Sequence, residues 1–120
     1  MDYDIKKGWF KNIEGDKLAQ LMEETFGNVK KGGDKFVSSY GVMETIEVTV
    51  ISKDKMDITT KNIPDAKNCS DDEILDSKKK LNVFAEKATG FNAKARMKRA
   101  QKKAKDGELL TFHALALLLL

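Results

Sequence analysis

Between Lys35 and Lys61 the chain alternates apolar and polar side chains in short runs, and this pattern constrains its fold more than any other feature. In the run from Thr45 to Ile51, Ile46, Val48 and Val50 fall on one side of a period-two pattern, and Thr45, Glu47 and Thr49 fall on the other. Such alternation is the signature of a strand buried on one face. Lys35 to Gly41 and Met56 to Lys61 read the same way, and a tight turn at Lys53-Asp54-Lys55 separates the last two runs. Strands this close in sequence pair most economically as an antiparallel meander. A meander with one apolar face needs a second layer to cover it, and the flanking segments must supply that layer.

The flanks carry helical periodicity. Leu18, Leu21, Met22, Thr25 and Phe26 recur at spacings of three and four, behind Gly15-Asp16 and ahead of a stop at Gly27. Ser70 followed by Glu73 is a capping box, and Ile74, Leu81, Phe84, Ala85 and Ala88 form the stripe of the helix it opens. Gly90 ends that helix, and Asn92 is placed to cap a third helix running to Lys105. Before the first helix, Tyr3, Ile5 and Trp9 alternate as a first strand. Val29 to Asp34 reads as a turn, with room for a very short strand before it, and Pro64 closes the sheet region.

The predicted order is therefore β-α-β(3-4)-α-α. This is an α+β fold with an antiparallel sheet of four to five strands and helices on one face. In element order it is similar to one repeat of the TATA-binding-protein-like fold, a likeness that carries no function by itself. With 120 residues the chain suits one core. The expected division is a single α+β domain over 1–107, ending in a basic helix at 92–105, and a hydrophobic tail over 108–120.

A strand ending in Ser39-Tyr40-Gly41, and a later Thr89-Gly90-Phe91-Asn92-Ala93-Lys94 leading into a dense basic helix, carry a resemblance. The chain resembles a small family of uncharacterised archaeal proteins of unknown function over roughly residues 3–105, about one domain. The resemblance implies the same order of elements and supplies no catalytic residue. The leucine-rich end is not part of the expected pattern.

Net charge is +3, but it is unevenly spread. Residues 1–86 balance to −3, residues 87–105 carry +8 with no acid, and residues 106–120 carry −2. Lys94, Arg96, Lys98, Arg99, Lys102, Lys103 and Lys105 crowd one helix whose remaining residues are mostly small. Uncompensated charge of this density suits RNA or DNA backbones, where Lys and Arg displace condensed counterions. A solvated helix paired with the acidic remainder of the chain is an even competitor. Sequence-specific readout is disfavoured, because no groove-reading motif is present.

Other constellations are weaker. Trp9, Phe10, Phe36 and Tyr40 suit a base-stacking platform, but packing under the helices is favoured. The stretch Gly27 to Lys35 suits an anion nest but lacks a phosphate-loop ending, so a flexible turn is favoured.

Enzyme chemistry is poorly supplied, and no cofactor or metal is implied. The one histidine, His113, lies far from the one cysteine, Cys69. The acids Asp71, Asp72, Glu73 and Asp76 suit helix capping better than cation binding.

A lone cysteine and an N-terminus without an apolar core region point to the cytoplasm. The tail carries seven leucines and no charge between Leu109 and Leu120, too short for a bilayer span of about 20 residues. A lysine-rich helix beside such a tail suits an anionic membrane surface. The simpler expectation is contact with its own domain or with a second copy, through Leu109, Leu110, Phe112, Leu115, Leu117 and Leu118. The leading expectation is a non-catalytic module binding RNA or DNA backbone, with a structural or oligomerisation protein as the alternative.

Overall fold

A computed structural model describes residues 1–102. Its strands are β1 (Asp2–Asp4), β2 (Lys30–Gly32), β3 (Lys35–Tyr40), β4 (Met43–Ser52) and β5 (Lys55–Asn62). Its helices are α1 (Asp16–Phe26), α2 (Asp71–Thr89) and α3, which is helical from 93 to 102. The sheet is antiparallel throughout, in the order β1-β5-β4-β3-β2. The expected meander is β3-β4-β5, and the expected α+β class is the observed one.

Register puts the apolar positions in rows across the sheet. Val48 lies between Phe36 and Ile58, and Met56 lies between Val50 and Tyr3. Leu18, Met22 and Phe26 of α1 and Phe84, Ala85 and Ala88 of α2 close over the same face as one cluster with Ile46, Val48, Met56 and Ile58. Each fully buried large side chain here contributes about 1.5–3 kcal/mol. The rings of Phe26 and Phe84 meet at 5.3 Å between centroids, where the two helices join. The opposite sheet face is polar, with Asp2, Asp57, Thr49 and Lys35 in one row.

The ends of α2 are the expected ones. Ser70 Oγ accepts from the Glu73 amide at 3.2 Å, and Gly90 terminates the helix in the left-handed conformation at φ +81°. The short strand β2 lies within the residues that the sequence reads as a turn, because Lys30, Lys31 and Gly32 pair with Val37, Phe36 and Lys35 of β3. Beyond it, the Asn28 side chain takes the place of a neighbouring strand. Its amide nitrogen donates to the Ser39 carbonyl at 2.8 Å, and its oxygen accepts from the Ser39 amide at 2.9 Å.

The first strand is shorter than its alternation predicts. It stops at Asp4, because the following amides find partners outside the ladder: Ile5 donates to Asp54 and Lys6 donates to Thr89. Gly8, at φ +81°, turns the chain, and Trp9 leaves the strand altogether. Trp9 instead lies against the end of α2.

Candidate nucleic-acid interface

Helix α3 begins where Asn92 Oδ1 accepts from the Ala95 amide at 2.8 Å, the expected cap. Its cations then part into two groups. Arg96 is only 8% exposed, and its guanidinium donates to the Phe91 carbonyl and, at 2.9 Å, to Asn82 Oδ1 on α2. Burial lowers its pKa, while Tyr3 and Glu86 nearby act the other way. Arginine nonetheless stays charged in proteins. Arg99 donates from Nε to Asp4 Oδ2 at 2.8 Å, and its guanidinium carbon lies 4.4 Å from the centroid of the Phe91 ring. Phe91 therefore meets both arginines, and α3 is clipped to β1 and to α2.

Lys94, Lys98 and Lys102 are exposed and make no ion pair among the described residues. Lys94 and Lys98, with Gln101 and the 62%-exposed Met97, form the side of α3 turned away from Arg96 and Arg99. Lys102 flanks that side. Lys103, Lys105 and the leucine-rich segment with Leu109, Leu110, Phe112, Leu115, Leu117 and Leu118 lie outside the described residues. Of the residues read from sequence as phosphate ligands, Arg96 is the buried one, and its guanidinium donates to two protein acceptors. Arg99 is half withdrawn into an ion pair. The division follows the chemistry of the two cations. The planar, weakly hydrated guanidinium suits buried fork contacts, and the compact ammonium prefers water. Asn82 and Asp4, which receive the arginines, carried no local signal. They lie 14 and 95 residues away from their partners.

A second feature lies beside the start of α3. Trp9 Nε1 donates to the Lys87 carbonyl at 2.8 Å, and its ring covers Gly90 so closely that a Cβ there would come within 2.9 Å of it. Next to Trp9, α1 and α2 border an open groove of about 480 Å³, into which Asn12, Gln20, Leu21 and Lys87 also face. Trp9, Phe10, Phe36 and Tyr40 all pack, partly buried, against the core, as favoured from the sequence, and Trp9 also borders the groove.

The remaining candidates make contacts within the fold. Desolvation, followed by the Glu73 carboxylate, pushes the Cys69 thiol up, away from a reactive thiolate. Asp71, Asp72 and Glu73 occupy the first turn of α2, and no metal-binding group of three or more His, Cys, Asp or Glu occurs among the described residues. Tyr40 donates to Asp76 Oδ2 at 2.6 Å, which ties β3 to α2 and raises the phenol pKa. No helix among the described residues is long and apolar enough to cross a membrane.

A family model described as a domain of unknown function, DUF5611, matches residues 1–102. The chain belongs to the DUF5611 family. The match takes in the sheet, both core helices and α3 as far as Lys102, so the clipped basic helix is part of the DUF5611 domain. Lys103, Lys105 and the leucine-rich segment lie beyond the matched residues. No curated protein and no solved structure matches the chain, so likeness to a TATA-binding-protein-like repeat remains one of element order.

Proposed function

We propose that this DUF5611 protein is a non-catalytic, cytoplasmic module that binds RNA or DNA backbone through the outer side of α3. The observation that carries this reading is the division of α3. Arg96 and Arg99 hold the helix against β1 and α2, while Lys94, Lys98 and Lys102 stay in solvent without an ion-pair partner among the described residues. A helix fixed in this way presents its lysines from a backbone that need not be ordered on binding. Lys103 and Lys105 continue the same run of sequence.

Filter-binding titrations at two salt concentrations test the reading. Binding is expected to be weak, indifferent to sequence and steeply salt-dependent. Changing Lys94, Lys98 and Lys102 together to Gln lowers the salt slope by about 2–3 if each lysine meets one phosphate. Absence of wild-type binding at low salt, where screening is least, overturns the proposal.

Self-association is the second reading. Leu75 and Val83 on α2 and Met97 on α3 are exposed apolar side chains, and the sequence from Leu109 to Leu120 holds seven leucines. Sedimentation of the chain with and without residues 109–120 separates the readings: a dimer that becomes monomeric on truncation supports self-association.

A further inference from the structure

We infer that the groove beside Trp9 seats one unstacked base of a single-stranded nucleic acid whose phosphates continue onto the lysines of α3. The inference rests on the backbone-binding reading above and narrows its partner from nucleic acid in general to single strands.

The groove has the parts such a seat needs. Trp9 supplies an aromatic wall held in place twice, by its hydrogen bond to the Lys87 carbonyl and by its packing on Gly90. A fixed ring loses little freedom when a base stacks on it, and stacking is tolerant of base identity because every base has a π-face. Leu21 adds apolar lining beside the ring. The side-chain amides of Asn12 and Gln20 line the groove and have no hydrogen-bond partner among the described residues. An amide both donates and accepts, so it can meet the edge of any base that a single strand turns outward. A duplex keeps those edges paired and stacked, and offers the groove nothing to hold.

Charge places the base and the phosphates differently. The groove is lined by Lys17, Lys87 and Glu24, and Lys17 Nζ donates to the Lys11 carbonyl. One net positive charge there is small beside the run of cations on α3, so the groove suits the base and α3 the phosphates. Gly90, which lines a second concavity also bordered by Trp9 and Lys87, is followed four residues later by Lys94, the first lysine of α3. A strand leaving the groove in that direction passes from the base seat onto Lys94, Lys98 and Lys102.

Trp9 is the only tryptophan in the chain, so tryptophan fluorescence reports the surroundings of this one ring, the groove among them. The full chain is titrated at low salt with a ten-nucleotide mixed-sequence single-stranded RNA and with the corresponding duplex, and retention on a filter is measured in parallel. The expected result is saturable quenching by the single strand and little change with the duplex, although both probes are retained. Changing the exposed Asn12 and Gln20 together to Ala should weaken single-strand binding about fivefold and leave duplex retention unaltered. Retention of the single strand without a change at Trp9, equal quenching by both probes, or a double variant that binds the single strand as tightly as the parent overturns the inference and leaves the α3 reading standing. Retention of neither probe overturns the reading on which it rests.

Discussion

Strand β4 and helix α3 are both two-sided, and they are sorted by different physics. In β4 the sides differ in polarity. Ile46 and Val48 are fully buried, and Thr45, Glu47 and Thr49 on the other side are only partly so. The hydrophobic effect chooses the inner side, and a single strand of sequence is enough to see the choice. In α3 both sides are cationic. What separates Arg96 from Lys98 is the shape of the charged group and the presence of Asn82, the Phe91 carbonyl and Asp4 on neighbouring elements. Polarity alone reads α3 as one uniform basic surface. Its packing makes it a helix with a structural side and a free one.

The comparison can be broken most forcefully at β4. Val48 has no exposure and lies between Phe36 and Ile58, so Val48→Asp buries a charge without a partner. A loss of about 3 kcal/mol or more is expected in chemical denaturation. An unchanged midpoint would mean that the inner side of β4 is not decided by burial.

The inner side of α3 comes next. Arg96→Ala strands two acceptors, Asn82 Oδ1 and the Phe91 carbonyl, and removes a charged donor, for about 2–3 kcal/mol. Arg96→Lys keeps the charge but loses the fork, and is expected to recover less than half of that loss. Full recovery by lysine would erase the distinction between the two cations on which the comparison depends.

Ser70→Ala calibrates the scale between the two sides, since it removes one cap hydrogen bond, to the Glu73 amide, at about 1 kcal/mol by the same denaturation assay. At the bottom of the range, Lys94, Lys98 and Lys102 changed together to Gln should move stability by no more than about 0.5 kcal/mol, because Gln is a comparable helix former and no ion pair among the described residues is broken. A larger stability loss than Arg96→Ala produces would reverse the assignment of sides.

The parts legible beforehand share a local cause. The meander follows from period-two alternation with short connections, α1 from its stripe and Gly27, and α2 from Ser70, Glu73 and Gly90. Alternation makes the first strand too long for the same reason in reverse. Tyr3 and Ile5 alternate and do pack toward the core, but period two cannot register that the amides of Ile5 and Lys6 are claimed by Asp54 and Thr89. The candidate interface was half legible. The cationic density of residues 87–105 is plain in the chain, but the Trp9 groove joins residues from the β1–α1 connection, α1 and α2, and no spacing rule brings those together.

By itself, then, the sequence determined the class of fold, the faces of the meander, the helix ends and the place where positive charge accumulates. Each of these depends on neighbours within a few residues: side-chain alternation, a cap three positions away, a glycine that can adopt positive φ. Only the tertiary structure decided that β1 joins β5 at the sheet edge, that Trp9 lies on the end of α2, and that the arginines of α3 turn inward while its lysines remain in water. Those outcomes depend on contacts such as Arg99 with Asp4 and Trp9 with Lys87, 95 and 78 residues apart along the chain. A buried guanidinium is stable only where acceptors from other elements surround it, and such acceptors exist only once the fold has brought them together.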